Sequence, residues 1–196
     1  MNIKVEDIKK LREKTGVGLM DAKEALAESS GDFEKATEYL RKKGLAKAQK
    51  RSDKDASEGI VVSYIHAEGR IGALLELNCE TDFVAKNEDF KNLAQELVMQ
   101  VAALDPQYKT VEDIPEEDIK KEKDVISETL KKEGKPVDVI EKILEGKLTK
   151  WYEDVVLVKQ KYFKDDKKTI EDILGEAIAK IGENIKIGRF TRYQIK

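Results

Sequence analysis

GIVVSYIHAEGRIGALLELN, residues 59–78, holds two runs of β-branched, apolar and aromatic residues that are joined by the short loop AEGR. Such residues favour strands, and two runs around a glycine-bearing loop are typical of a β-hairpin. The sequence therefore predicts one strand over 59–66 and a second, antiparallel strand from residue 71 to residue 78.

The segments that follow the hairpin predict several helices and one further strand. Residues 90–101 place apolar side chains at helical spacing, and residues 115–150 suggest two helices with a break at 134–136. Thr169 can cap a final helix. NIKIGRFTRYQ, residues 184–194, alternates like a strand that pairs with the hairpin. The pattern predicts an α+β fold, a small antiparallel sheet packed with helices.

The first 44 residues predict a separate module of three short helices. Their apolar residues recur at helical spacing, Asp32 is a natural N-cap of the third helix, and Gly44 is expected to end it. Residues 45–58 are almost wholly polar or small and are interpreted as a linker. The predicted organisation is a three-helix module at 1–44, a linker at 45–58 and an α+β core domain at 59–196.

Charged residues are numerous but nearly balanced, with 37 Lys and Arg against 40 Asp and Glu and a net charge of -3. No global basic field would attract nucleic acid, so direct nucleic-acid binding is not expected. The single cysteine, Cys79, excludes an intrachain disulfide and fits a reducing compartment. The N-terminus has no signal-peptide pattern, and no apolar run approaches the roughly 20 residues of a membrane span. We therefore expect a cytoplasmic protein without membrane contact.

Side chains that could carry catalysis or bind a metal are scarce. His66 is the only histidine, which excludes a histidine metal cluster, and it is interpreted as a residue near a strand end or the surface. Cys79 is expected to be buried rather than reactive. The common phosphate, dinucleotide and zinc motifs are missing from the sequence. We expect a protein that is not an enzyme and that has no catalytic residue, cofactor or metal.

NCETDFVAKN, residues 78–87, leaves a predicted strand and enters a helix. Thr81 or Asp82 is a natural N-cap, which places Phe83 in the first helical turn. On pattern alone, a Phe83 that packs inward is favoured. The alternative is an aromatic wedge that a rigid corner presents to a partner, the kind of anchor that dominates binding energy.

A second corner lies in the N-terminal module, where the turn TGVG, residues 15–18, separates two predicted helices near Arg12. The adjacent Leu19 and Met20 cannot both lie on the apolar side of the second helix, so we expect one of them to be exposed. An exposed methionine beside glycines is suited to docking a partner.

Three segments of the chain closely resemble signature segments of the elongation factor Ts family, in the same order and with matching separation: LREKTGVGLMDAKEAL (11–26), NCETDFVAKNEDF (78–90) and IGENIKI (181–187). The resemblance covers essentially the whole chain. That family consists of guanine nucleotide exchange factors for elongation factor Tu, the GTPase that delivers aminoacyl-tRNA to the ribosome. The resemblance implies that the N-terminal module is similar to ubiquitin-associated domains and docks on the nucleotide domain of this GTPase.

The resemblance also implies a role for particular residues. An exchange wedge would enter a cleft beside the nucleotide site and upset the magnesium and phosphate-loop contacts, so that GDP leaves and GTP can bind. The implied partner contacts are Thr81, Asp82, Phe83 and Val84 in the wedge, Arg12, Gly18, Leu19 and Met20 in the module, and His66, Ile181 and Gly182 as further candidates.

The chain resembles the short form of the family, because it has the strands of only one core and no sustained heptads. Longer members have a duplicated core and a coiled-coil insertion. The short form implies a homodimer that binds two partner molecules, with residues 59–196 as the dimerisation domain. We expect the contact at the free edge of the sheet.

Three other functions stay open on the residues themselves. An adaptor with a ubiquitin-associated-like module and an unrelated body leaves the corner at 81–87 without a role. An RNA-binding protein that uses the basic stretch at 41–54 predicts salt-sensitive binding to bare RNA. A small enzyme requires His66 and Cys79 to meet in a cleft.

Overall fold

A computed structural model describes residues 3–195 of the chain, apart from the side chains of residues 137 and 138. Three helices at the N-terminus precede a mixture of helices and antiparallel strands, which confirms the α+β fold class. The elements are α1 (Val5–Thr15), α2 (Leu19–Glu28), α3 (Phe33–Arg51), β1 (Glu58–His66), β2 (Ile71–Cys79), α4 (Asp82–Ala85), α5 (Glu88–Leu104), α6 (Glu116–Lys132), α7 (Val137–Val155), β3 (Lys161–Tyr162), β4 (Asp165–Thr169), α8 (Ile170–Ile181) and β5 (Ile185–Gln194).

The main sheet has three strands in the order β1-β2-β5, and both pairings are antiparallel. The β1–β2 register runs from Glu58 opposite Cys79 to His66 opposite Ile71. β5 lies on the other side of β2, with Ile185 opposite Cys79. The predicted hairpin and its third strand are therefore confirmed, and β1 and β5 form the two edges of the sheet.

One face of the sheet carries the main hydrophobic core. Alternate residues of β2, from Ala73 to Cys79, are buried against apolar residues of α5 and α8. Phe90 and Leu97 of α5 and Ile170 of α8 are almost wholly buried. This burial stabilises the fold because side chains of alternate strand residues point to the same face and leave water together.

The N-terminal helices pack around a small core of their own, and α3 connects it to the body of the protein. Asp32 caps α3 as predicted, since its Oδ1 accepts hydrogen bonds from the backbone N–H of Glu34 and Lys35 at 2.9 and 3.1 Å. The helix end predicted at Gly44 is wrong, because α3 continues to Arg51. Gly44 lies against α8, where a Cβ atom would lie 3.1 Å from the carbonyl oxygen of Gly175.

Gly44 is therefore a packing residue rather than a helix terminator. Two glycines allow the backbones of α3 and α8 to approach each other closely, and a helical glycine costs only about 1 kcal/mol relative to alanine. The division of the chain at residues 44 and 58 stays a prediction, although a helix occupies the first half of the proposed linker.

The region between α5 and α8 forms a satellite structure. α6 and α7 pack on each other around Ile126, Leu130 and Ile140, with the predicted break between them. Thr169 caps α8 through a reciprocal pair of hydrogen bonds with Asp172, as predicted. None of the helices in residues 3–195 is both long enough and apolar enough to cross a membrane.

Candidate functional site

The corner between β2 and α4 presents Phe83 to solvent. Thr81 is the N-cap of α4, and its Oγ1 accepts a hydrogen bond from the backbone N–H of Val84 at 3.4 Å. Val84 packs against the main core and Ala85 is buried, so the other side of this single turn points outward. Phe83 is consequently 81% exposed. Its inward packing, favoured on pattern alone, is wrong.

Asp82 shares the outward side of the turn with Phe83. Its carboxylate oxygen Oδ2 lies 2.7 Å from Nζ of Lys86, one helical turn later. The hydrogen bond from Lys86 holds the pKa of Asp82 below its ordinary value. The corner therefore presents an ionised carboxylate beside an exposed aromatic ring.

A carboxylate from the far end of the chain supports this corner. Glu183 lies in the turn between α8 and β5, and its side chain accepts hydrogen bonds from the backbone N–H of Glu80 at 3.1 Å and of Thr81 at 3.0 Å. The hydroxyl of Thr81 donates a third hydrogen bond to Glu183 at 2.7 Å.

A second carboxylate links the same segments in the opposite direction. Glu80 accepts hydrogen bonds from the backbone N–H of Asn184 at 2.6 Å and from Nη1 of Arg51 at 2.8 Å. These two donors hold the pKa of Glu80 below its ordinary value, the backbone group of Asn184 having the larger effect. Sequence reasoning missed Glu80, Glu183 and Arg51, because residues about 100 positions apart show no shared local pattern.

Ile181 and Gly182 end α8 at the base of the same corner. Gly182 adopts the left-handed conformation with a φ of 87°, which ends the helix, and its N–H donates to the carbonyl of Ile178 at 2.9 Å. A residue with a Cβ atom is strained in this conformation. The sharp turn at Gly182 brings Glu183 beside Thr81.

The second predicted corner, in the N-terminal module, is also exposed. Gly16 ends α1 in the left-handed conformation and Gly18 precedes α2. Leu19 is 51% exposed and Met20 is 72% exposed, so both project outward where only one was expected to. The reason is that Ala22, Ala25 and Leu26 already fill the contact of α2 with the neighbouring helices.

An open cleft separates the two corners. The sequence-predicted residues that line it are Arg12, Gly18, Leu19, Val84 and Ile181. Lys180 also lines the cleft, with Nζ 2.8 Å from Oδ1 of Asp89 on α5, and a Cβ added at Gly16 would lie 3.4 Å from its Cδ. The fold therefore brings the module corner and the base of the Phe83 corner to opposite walls of one cleft.

His66 and Cys79 lie far from each other. His66 ends β1, where it is exposed and its Nδ1 lies 3.0 Å from the hydroxyl of Tyr64. Cys79 pairs with the first residue of β1, eight positions away from His66, which corresponds to about 27 Å along a strand. Burial, with Glu183 as a smaller cause, raises the pKa of the Cys79 thiol to about 11. An active site that joins these two residues is therefore excluded.

No metal-binding cluster accompanies either corner. Among the residues that the structure describes, no group of three or more His, Cys, Asp and Glu side chains is placed to hold a metal ion. The two corners are polypeptide surfaces with exposed apolar side chains and a few charges. Such surfaces are suited to contact with another protein.

Comparison with known proteins identifies a family. A family model described as Elongation factor TS matches residues 42–177. The chain is 54% identical to the elongation factor Ts of Fervidobacterium nodosum over 195 residues, which covers 100% of this chain and 99% of that protein. It is also 54% identical to the elongation factor Ts of Moorella thermoacetica (98% of this chain, 95% of that protein) and of Thermotoga neapolitana (100% and 98%).

Proposed function

The chain belongs to the elongation factor Ts family, and on this premise we propose that its two exposed corners dock on elongation factor Tu and drive release of GDP. Family membership makes the chain a translation elongation factor that acts in guanine nucleotide exchange. The observation that carries the finer proposal is Phe83, which is 81% exposed at the first turn of a tightly hydrogen-bonded corner.

The corner at Thr81, Asp82, Phe83 and Val84 acts as the wedge. Burying a side chain of this size in a partner stabilises the complex by about 1.5–3 kcal/mol. A bound nucleotide is held by phosphate-loop amides and magnesium, so a wedge that occupies space beside them favours the nucleotide-free GTPase. By linkage, a factor that binds the empty GTPase more tightly weakens nucleotide binding by the same coupling free energy.

The N-terminal corner supplies docking energy that does not depend on the nucleotide. Leu19 and Met20 offer two exposed apolar side chains, and Arg12 adds a positive charge on the wall of the cleft. One wedge side chain contributes too little to displace a tightly bound nucleotide alone, so the docking surface must hold the complex together while the wedge acts. Ile181 and Gly182 complete the contact beside the wedge.

The reaction proposed here makes and breaks no covalent bond. A nucleotide exchange factor needs no general acid, general base or nucleophile, since it changes only the relative stability of two complexes. We infer that the chain has no catalytic residue and no cofactor of its own, and that GTP enters the site that GDP has left.

We also propose that the protein is a homodimer that binds two partner molecules. The supporting observation is the outer face of the sheet, which carries Val61, Ile65, Leu74 and Tyr193, each between 48% and 74% exposed. A second copy would cover this face and the adjoining free edge. Light scattering at micromolar concentration is expected to give twice the chain mass of 22.2 kDa. A Leu74→Glu variant is expected to give the monomer mass, and a wild-type monomer would contradict the proposal.

The exchange proposal is tested with elongation factor Tu loaded with fluorescent GDP. We expect the chain to accelerate GDP release and to bind the empty GTPase more tightly than the GDP-bound form. Tight binding without acceleration would favour the adaptor. Salt-sensitive binding to bare RNA in place of either result would favour the RNA-binding protein. A folded chain that does not accelerate GDP release would contradict the exchange proposal.

A further inference from the structure

We propose that Glu183 is a positioning residue for exchange, a carboxylate that holds the Phe83 corner in the geometry in which it acts. The inference rests on the proposed function and adds Glu183, which binds the two residues before Asp82. Glu183 does not itself need to touch the partner, because it acts through the backbone and hydroxyl of the residues that precede Phe83.

The contacts of Glu183 converge on two consecutive residues of the corner. One carboxylate oxygen, Oε2, accepts from the backbone N–H of Glu80 and of Thr81, while Oε1 accepts from the hydroxyl of Thr81. The three distances lie between 2.7 and 3.1 Å. The oxygen of that hydroxyl is the atom that caps α4. Glu183 thus fixes both the direction in which the chain leaves β2 and the orientation of the cap.

The reverse link strengthens the same arrangement. Glu80 accepts from the backbone N–H of Asn184, next to Glu183, and from Arg51 at the end of α3. The side-chain amide of Asn184 donates to the carbonyl of Lys54 at 2.7 Å. Three segments are therefore joined at this point, namely the end of α3, the corner that carries Phe83, and the turn after α8.

These hydrogen bonds are needed because α4 is too short to be stable by itself. It has four residues, and one isolated helical turn does not recover the entropy lost when it forms. An exposed ring on a loose turn would have to be ordered when the partner binds, which weakens its effect. Hydrogen bonds from a second layer of residues place such a side chain in advance.

The test measures release of fluorescent GDP from elongation factor Tu at increasing factor concentration, for wild type and for Glu183→Ala. We expect the maximal release rate to fall about tenfold, since small displacements of an acting group are costly, with little change in the half-saturating concentration. The matched control is Glu176→Ala, which removes a carboxylate of α8 that pairs with Lys168 at 2.7 Å, away from the corner. Its release kinetics are expected to match wild type.

A double-mutant cycle with Phe83→Ala separates positioning from a general structural role. If Glu183 acts through Phe83, Glu183→Ala should reduce the rate by less than about twofold once the ring is absent. An undiminished tenfold loss in the Phe83→Ala background would overturn the inference. A folded Glu183→Ala variant that releases GDP at the wild-type rate would also overturn the inference.

Two more variants keep the test informative if Glu183→Ala does not fold. Glu183→Gln can still accept from both backbone N–H groups through its amide oxygen and can donate to Thr81, so near wild-type release is expected. Glu183→Asp keeps the charge but is one methylene too short, so we expect its rate to fall below that of Glu183→Gln. The reverse order would contradict the proposal. If wild type itself fails to accelerate release, the proposed function fails instead, which separates the two outcomes.

Discussion

The docking corner at residues 16–20 and the wedge corner at residues 80–84 both expose apolar side chains, but they differ in the hydrogen bonds that hold their backbones. At the docking corner, Leu19 and Met20 follow Gly18, which has no side chain to cap α2. In the described part of the chain, no side-chain hydrogen bond reaches the backbone of residues 16–20. At the wedge corner, Thr81 caps α4, and Glu183 accepts three hydrogen bonds from Glu80 and Thr81, which precede this helix.

The difference indicates two separate tasks. A surface that only docks gains affinity from the apolar area it buries, and modest adjustments of its backbone cost little. A wedge that must favour one state of its partner over another depends on where its ring lies, so its position has to be fixed. The docking corner is expected to control how much factor is needed, and the wedge corner is expected to control how fast GDP leaves.

The largest effect is predicted for a combined truncation of the docking corner, Leu19→Ala with Met20→Ala. Loss of about 2 kcal/mol of apolar burial should raise the half-saturating concentration of factor roughly 30-fold. The maximal release rate should stay within about twofold of wild type. Val125→Ala, which truncates a 59% exposed side chain on α6, serves as the control. A fall in the maximal rate at saturating factor would remove the distinction between the corners.

The next prediction concerns the stability of the close contact between α3 and α8. Gly44→Val places side-chain atoms against the backbone of Gly175, where even a Cβ would lie 3.1 Å from the carbonyl oxygen. We expect overpacking to lower the free energy of unfolding by about 1–3 kcal/mol. Gly146→Val on α7 is the matched control, because a Cβ added there would meet no heavy atom within 4 Å apart from its own helical backbone. Equal melting temperatures for the two variants would show that α3 and α8 do not need this close approach.

The smallest effect concerns pH and the module that carries the docking corner. Asp21 lies 3.0 Å from Lys43 and 3.1 Å from Lys47, and these lysines, Lys43 above all, hold its pKa below the ordinary 3.8. A carboxyl group whose pKa is lower in the folded chain than in the unfolded chain stabilises the folded state at pH values above its unfolded pKa. This stabilisation is lost as the pH falls through its folded pKa.

Melting temperatures should therefore fall in wild type as the pH drops through 3.8 and below, and less steeply in Asp21→Asn, which cannot titrate. Glu24 also pairs with Lys43, which holds the pKa of Glu24 below its ordinary value. Part of the pH dependence of the melting temperature should therefore remain in Asp21→Asn. Identical slopes in the two proteins would show that Asp21 does not contribute to the pH dependence.

Features set by neighbouring residues were predicted well from the sequence. The two β-branched and apolar runs around the loop at 67–70 predicted the hairpin. Asp32 and Thr169 were recognised as caps because a cap and its helix are contiguous. The helix end predicted at Gly44 was wrong because the neighbouring sequence does not distinguish a glycine that ends a helix from one that lets two helices approach closely. The exposure of Phe83 could not be decided from pattern, since it depends on Val84 and Ala85 filling the core side of α4.

The hydrogen bonds that hold the wedge corner could not be predicted from neighbouring residues, for a different reason. Glu183 and Thr81 are 102 residues apart and meet only because β5 pairs with β2 in the register that places Ile185 opposite Cys79. Both segments were singled out by resemblance, as TDFV and IGEN, but their contact is a property of the folded sheet.

The most direct test of the account is the rate at which Phe83→Ala releases fluorescent GDP from elongation factor Tu at saturating factor, compared with wild type and with Phe163→Ala. Phe163 is a second exposed aromatic residue, 42% exposed and outside both corners. We predict that Phe83→Ala lowers the maximal rate by at least about tenfold while binding persists, because the burial energy of the ring is gained in the state that releases GDP. Phe163→Ala is expected to match wild type. An unchanged maximal rate for Phe83→Ala would contradict the assignment of this corner as the exchange wedge.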